Sequence, residues 1–263
     1  MALFIAEPNK YLRFPFVLRK VRFERSIWIG ELNKNRMEFR TEKKYVLSMA
    51  QASLAKALIS AHCLPDPHFA MATVHSIYYD TLDLQLLTEK IDSTYFKAKI
   101  RLRWYGDWSF NPDNGPAFLE AKLKEGGRQR KVRIKMPRTG RELAEMSLSN
   151  PVLATLPALL ASQGIGINAS TRPIFIIAYR RTRFIDPMTG VRIALDQDIH
   201  ASRHTLSCPG PTGSPFLTFA VIETKGQLAT LPRYLAPLMT MGMRPESFSK
   251  YLHCYQSLMQ QQI

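Results

Sequence analysis

Polar and apolar residues alternate strictly over Lys97–Arg103. Lys97, Lys99, Arg101 and Arg103 fall on one side; Ala98, Ile100 and Leu102, then Trp104, fall on the other. Successive side chains of an extended chain point to opposite faces, so this stretch predicts a β-strand whose polar face is four consecutive cations. The same period recurs along the chain. Glu38, Arg40, Glu42 and Lys44 share a face ahead of Tyr45, and Ser76, Tyr78 and Asp80 share one in and after Met71–Tyr79. Glu120, Lys122 and Lys124 oppose Leu119, Ala121 and Leu123, and after Gly126-Gly127, a hairpin signal, Lys131, Arg133 and Lys135 alternate with Val132 and Ile134. Tyr179, Arg181 and Arg183, then Arg192, Asp196 and Asp198, then Val221, Glu223 and Lys225 mark three more, for eight predicted strands.

Helical signals lie between them. Ser48 predicts an N-cap for a helix from Met49 to His62, ended by Pro65 and Pro67. Shorter helices are predicted over Leu82–Glu89, within Arg141–Ser162, over Leu231–Met241 and from Phe248 onward, and Cys208–Pro215 reads as a loop. Short connections predict antiparallel pairing. Strands with one charged and one apolar face, accompanied by several helices that need apolar surface, are reconciled if the sheet curls with its charged faces inward. The expected fold is therefore α+β: an eight-stranded antiparallel β-barrel tunnel with a charged, wet interior and helices packed on the outside. Residues 1–35 form a basic N-terminal extension and 36–263 a single domain.

Charge sharpens this picture. Lys and Arg total 36 against 21 acidic residues, a net charge of +15. Such a surplus implies an anionic partner: nucleic acid, a phosphate-rich molecule or an anionic membrane. Zinc-finger, homeodomain, RRM and basic-zipper signatures are absent, which argues against nucleic acid. The three cysteines are far apart with no CxxC, which favours a reducing, cytoplasmic setting. No apolar run reaches the roughly 18 residues of a spanning helix. Residues 1–35 interleave Leu12, Phe14, Phe16 and Val17 with Arg13, Arg19, Lys20 and Arg22, a weak pointer to a membrane surface or a membrane partner. The six histidines form no HxH or HExxH, and there is no GxxxxGK[ST] loop.

A run of short motifs carries a family resemblance: Glu42-Lys43-Lys44-Tyr45, Ser76-Ile77-Tyr78-Tyr79-Asp80, Lys99-Ile100-Arg101-Leu102-Arg103-Trp104-Tyr105, Phe118-Leu119-Glu120-Ala121-Lys122, Lys131-Val132-Arg133, Tyr179-Arg180-Arg181, Val191-Arg192-Ile193-Ala194-Leu195-Asp196, Val221-Ile222-Glu223-Thr224-Lys225 and Phe248-Ser249-Lys250-Tyr251. In order and spacing, over about residues 36–255, they resemble the polyphosphate-polymerase domain of the vacuolar transporter chaperone (VTC) family. That family lies within the CYTH-like triphosphate tunnel metalloenzyme superfamily. The resemblance implies a basic tunnel that binds ATP and polyphosphate and moves the γ-phosphoryl group onto a growing chain with Mn2+ or Mg2+. Where the superfamily often begins Glu-x-Glu-x-Lys, this chain has Arg40, Glu42 and Lys44, which weakens a two-metal hydrolase reading.

The resemblance implies catalytic roles for Arg101, Arg103, Lys122, Lys131, Arg181 and Lys250. It implies phosphate binding by Lys44, Lys99, Arg133, Tyr179 and Ser249, and metal ligation by Glu223, with Glu120 and Glu42 as second choices. Asp196 and Asp198 are expected behind these ligands, and Lys97 and Lys135 at a tunnel mouth. Strand geometry suits the pair Arg101 and Arg103, two residues apart on one face, each able to fork onto phosphate oxygens. The alternatives are a triphosphatase on the same fold and a non-catalytic polyphosphate-binding module.

Overall fold

The computed structural model describes residues 41–168, 170–205, 214–227 and 231–260. The 1–35 extension, Arg40 and Cys208 lie outside the described residues.

The elements, in order, are β1 (Thr41–Ser48), α1 (Met49–His62), β2 (Leu64–Pro65), β3 (Met71–Asp80), α2 (Gln85–Ile91), β4 (Phe96–Gly106), β5 (Pro116–Glu125) and β6 (Arg128–Thr139). Then follow α3 (Gly140–Glu145), α4 (Pro151–Thr155), a 3-10 segment (Leu156–Gln163), β7 (Arg172–Ile185), β8 (Arg192–His204), β9 (Phe219–Gly226), α5 (Ala236–Thr240) and α6 (Lys250–Gln260). The strands form one antiparallel sheet in the order β1-β9-β8-β7-β3-β4-β5-β6, with β2 on the side of β7. No helix among the described residues is long and apolar enough to cross a membrane.

Local chemistry sets the joints. Ser48 caps α1 reciprocally: Gln51 N–H donates to Ser48 Oγ at 3.3 Å and Ser48 N–H donates to Gln51 Oε1 at 2.9 Å. Thr139 and Glu142 repeat the arrangement at α3. Gly126 takes a left-handed backbone, φ 53°, in the tight β5–β6 turn. Gly140 lets α3 begin against the sheet, since a Cβ there would come within 2.7 Å of the buried Trp104 ring.

The outward faces form two apolar clusters. Ala52, Ala55 and Ile59 of α1 and Leu238 of α5 pack on Tyr45, Leu47, Leu195 and Ile222. Leu143, Leu153 and Leu160 cover Ile77, Ile100, Leu102, Trp104 and Leu119. Burying these apolar faces leaves the alternate, charged positions to the inside of the curl.

The α+β antiparallel class agrees with the sequence reading, but three details correct the expected closed barrel of eight strands with every helix outside. The two-residue β2 makes nine strands. The ladder ends at β1 and β6, which do not pair among the described residues, so hydrogen bonds do not close the sheet. And α6 lies on the inner face. Tyr251, Cys254 and Leu258, spaced on one helical side, pack on Val74, Tyr78, Phe175, Ile177 and Val221. These strand positions share the inward parity of Arg103 and Arg181, so the inner face is apolar over part of its length and charged over the rest.

Candidate functional site

The charged part of the inner face borders a cavity of about 340 Å3. Strand alternation delivers Glu42 and Lys44 from β1, Lys99, Arg101 and Arg103 from β4, Glu120 and Lys122 from β5, Lys131 from β6, Tyr179 and Arg181 from β7, and Glu223 and Lys225 from β9. Ser249 and Lys250 enter from the start of α6. Of the residues expected to form a site, Arg133, the two aspartates and the mouth residues Lys97 and Lys135 are missing from this lining. Arg133 lies just beyond it, over the Phe118 ring at 3.6 Å.

Two carboxylate centres organise the cations. In the first, Glu223 Oε2 accepts from Arg181 Nη2 at 2.9 Å and Oε1 from Lys250 Nζ at 3.2 Å, with Lys44 Nζ at 3.9 Å. Asp196, fully buried, accepts from Arg181 Nε and Nη2 and pairs with Lys250 Nζ. Burial alone would raise both carboxyls. The charges of Lys250, Arg181 and Lys44 outweigh it for Glu223, and those of Arg181 and Lys250 for Asp196, so both sit below the usual carboxylate range. Lys250 is buried too, yet its two carboxylates hold it above its ordinary value.

In the second centre, Glu120 Oε2 accepts from Arg101 Nε at 2.8 Å and Nη2 at 2.6 Å. Its Oε1 faces Lys131 and Arg133, each at 3.4 Å. Burial pushes this carboxyl up, but Arg101, Arg103 and Lys131 bring it down to about 2.

Arg103 differs from both. It is buried, yet its hydrogen bonds run to hydroxyls: Nε to Ser76 Oγ at 3.0 Å and Nη2 to Tyr179 Oη at 3.2 Å. Tyr179 in turn lies under Lys250, 4.8 Å from its ring centre. Burial would raise the phenol, but Arg103, Arg181 and Lys250 bring it below its ordinary value. Lys99 Nζ donates to Ser249 Oγ at 3.1 Å. Glu42, on the lip of the cavity, faces Lys44 at 3.8 Å, Lys122 at 3.9 Å and Lys225 at 3.8 Å.

No group of three His, Cys, Asp or Glu side chains among the described residues could hold a metal ion. A protein-held Mn2+ or Mg2+ does not fit this donor set. A hard ion shared with phosphate oxygens needs only one or two carboxylates, and Glu223, which lines the cavity, would be one if Arg181 or Lys250 released an oxygen.

Asp198 sits elsewhere, paired with Arg180 at 2.7 Å, and Lys135 lines neither this cavity nor the one beside it. Lys97, expected at a tunnel mouth, lines the adjoining cavity. Sequence reasoning missed Ser76 and Lys225. Ser76 shares its strand face with Tyr78, but its role depends on β3–β4 register, which pairs it with Arg103. Lys225 was visible beside Glu223, and its contact with Glu42 follows from their opposed positions in β9 and β1.

No curated protein matches the chain. Among solved structures it is similar to a Hippeastrum protein described as an adenylyl cyclase with a dominant triphosphatase activity, at 16% identity over 82% of this chain and 94% of that one, TM-score 0.44. It is also similar to a Bacillus halodurans protein named as an adenylate cyclase (16% identity, 81% and 94%, TM-score 0.44) and to a Pyrococcus horikoshii protein (13%, 85% and 100%, TM-score 0.41). The profile of the VTC domain matches residues 39–259, nearly the whole sheet and its helices, and the chain belongs to the VTC domain family.

Proposed function

We propose that this chain is a phosphotransferase that moves the γ-phosphoryl group of ATP onto the end of a linear polyphosphate held in the basic cavity. The observation that carries the reading is Arg103, a buried guanidinium bonded to two hydroxyls and no carboxylate, beside Arg101 and across from Arg181 and Lys250. A buried cation so placed has, among the described residues, Glu120 near it but no carboxylate hydrogen-bonded to it, and a phosphate oxygen would supply that bond.

Phosphoryl transfer depends mainly on charge neutralisation and alignment. In the proposed reaction a terminal oxygen of the polyphosphate attacks the γ-phosphorus. The bond from that phosphorus to the ADP oxygen breaks, and its electron pair stays on ADP. The attacking oxygen is already an anion, so no general base is required. This suits a cavity in which Glu120 and Glu223 are both held far below the usual carboxylate range and are weak bases. Arg101, Arg103 and Arg181 grip phosphoryl oxygens, Lys250 neutralises charge as it develops, and Lys122 and Lys131 do so from the opposite wall. Lys44, Lys99, Arg133, Tyr179 and Ser249 extend the cradle along the chain. Mn2+ or Mg2+, when bound through Glu223 and the phosphates, adds Lewis-acid neutralisation.

A triphosphatase is the second reading, and Glu42 favours it. This carboxylate is partly exposed and its ion pairs are long, so it is free to orient a water. One assay separates the readings. The purified chain is incubated with ATP and Mn2+, and the products are resolved for polyphosphate, ADP and free phosphate. A ladder of chains with stoichiometric ADP is expected, and Arg103→Ala should lower kcat/KM by about 100-fold or more, some 2.7 kcal/mol. Free phosphate without chains supports the triphosphatase. Tight polyphosphate binding with neither product leaves a binding module and removes the enzyme.

A further inference from the structure

The proposed transfer delivers the γ-phosphoryl group to an oxygen that is already an anion. The inner cavity also holds a hydroxyl in contact with an amine. Ser249 lines it together with Lys99, Arg101, Arg103 and Arg181, and Lys99 Nζ lies 3.1 Å from Ser249 Oγ. Ser249 is only 2% exposed, so its hydroxyl is open to the cavity and closed to bulk solvent. It immediately precedes α6, and the His253 N–H donates to its carbonyl at 3.1 Å as the helix begins.

A serine hydroxyl must lose its proton as it attacks, so it needs a base that a polyphosphate terminus does not. The carboxylates of the cavity are poor candidates. Glu120 sits at about 2 and Glu223 well below the usual carboxylate range. No histidine lines the cavity. Lys99 is the exception among the cations. Burial first, then Lys44 from β1, Lys90 from α2, Arg101 on β4 and Lys122 from β5 lower it to about 7, so the neutral amine is accessible. An ammonium donates across the 3.1 Å contact, and the same contact reverses on deprotonation, with the Ser249 hydroxyl donating to Nζ. The Tyr179 phenol is the rival acceptor, but its partner is Arg103, and a guanidinium takes up no proton.

We propose that, with ATP bound and no polyphosphate end present, Ser249 itself accepts the γ-phosphoryl group, with Lys99 as general base. The inference rests on the reading that this cavity holds the γ-phosphoryl group of ATP, and it adds a second acceptor there. Neutral Lys99 Nζ takes the Oγ proton, and Oγ forms the new bond to the γ-phosphorus. The bond from that phosphorus to the ADP oxygen breaks, and its electron pair stays on ADP. The products are phosphoserine, ADP and a Lys99 ammonium. The new phosphate faces that ammonium and the positive end of α6, both of which favour it. A buried serine is reached only from its own cavity, so the transfer stays within one chain. A polyphosphate end competes for the same phosphorus, so the modification marks a protein that has ATP but no chain to extend.

The test incubates the full chain, starting at its unmodified mass, with ATP and Mn2+ and no polyphosphate. Intact mass is followed at early times, before chains accumulate, and the modified residue is located in peptides. A gain of about 80 Da, one HPO3, is expected on Ser249. Its rate per chain should not depend on protein concentration, and added long polyphosphate should suppress it. Ser249→Ala should remove the label and Ser249→Thr, which keeps a hydroxyl, should retain it. Lys99→Arg keeps the charge and the donor but takes up no proton, and should slow labelling by about 100-fold or more. At saturating ATP the wild-type rate should climb with pH above 7, since bound triphosphate favours the Lys99 ammonium, while the Lys99→Arg rate stays flat. Label on Tyr179, a rate proportional to protein concentration, or Lys99→Arg as fast as wild type would overturn the inference. Wild type that lengthens added polyphosphate yet gains no mass from ATP alone would overturn it and leave the polymerase reading intact. Label on Ser249 without chain lengthening supports it and counts against the polymerase, and neither product would sink both.

Discussion

A glutamate and a lysine show how single side chains set the chemistry. Burial alone would raise the Glu120 carboxyl, but Arg101, Arg103 and Lys131 hold it at about 2, well below the 4.5 of an ordinary glutamate. Its folded value is depressed, so its contribution to stability is fully present above about 4.5 and is lost as pH falls toward about 2. Urea midpoints between those limits should fall more steeply for wild type than for Glu120→Gln, and parallel slopes would refute the pairing. Lys99 runs the other way. Burial first, then Lys44 from β1, Lys90 from α2, Arg101 on β4 and Lys122 from β5 lower it to about 7, and the Ser249 hydroxyl is its partner. With the folded value below the unfolded 10.5, the ligand-free protein gains stability from this group as pH rises between them. An adjacent phosphate raises the folded value again. Tripolyphosphate binding at a pH about one unit above 7 should therefore take up a proton, and affinity should fall as pH rises through that range. Calorimetry in buffers of different ionisation enthalpy reads the uptake directly, and it should vanish in Lys99→Met. Strand alternation alone put Lys99, Arg101 and Arg103 on one face. It could not assign them a hydroxyl, a carboxylate and two hydroxyls respectively, because those partners arrive from α6, β5, β3 and β7 through register and packing.

At the level of elements, Asp80 ties two helices to the sheet. It accepts from the Leu86 and Leu87 N–H groups at the start of α2, at 2.8 and 3.0 Å, and from the Tyr251 hydroxyl of α6 at 2.5 Å. Those helices carry Lys90 and Lys250. Tyr251→Phe keeps the ring stacked on Tyr78 but removes a donor from a buried carboxylate, which should cost about 1–3 kcal/mol in urea unfolding. It should also weaken tripolyphosphate binding through displacement of Lys250, whereas Cys254→Ala, a small cavity further along the same buried side of the helix, should cost stability with less effect on binding. Equal effects of the two on binding would argue against positioning by Tyr251. The capped start of α1 and the glycine turn after β5 were legible because each rests on a local rule. The inner placement of α6 was not. Its side of Tyr251, Cys254 and Leu258 announces an apolar partner without saying which face of the sheet supplies it, and that face includes Phe175 and Ile177, which share parity with Arg181.

For the whole molecule, the open seam and the charge surplus act together. Among the described residues β1 and β6 are not paired with each other, and Lys122 of β5 stands 3.9 Å from Glu42 of β1. Sequence pattern could show that charged faces must turn inward. It could not show whether the curl closes, since closure depends on shear and on where α6 fills the interior. A chain of net charge +15 with cations converging on one face repels itself when that face is empty. Salt screens such repulsion, so the ligand-free protein should melt at a higher temperature as NaCl is raised from low to physiological ionic strength. On the proposed reading tripolyphosphate should supply counter-charge and stabilise by about 2.7 kcal/mol at 100 times its Kd. The same salt weakens its binding, so at fixed ligand the increment in melting temperature should shrink as NaCl rises. The two trends have opposite signs and come from one cause. A melting temperature that falls with salt in the free protein, or a ligand increment indifferent to salt, would mean that convergence of cations does not govern this fold's stability.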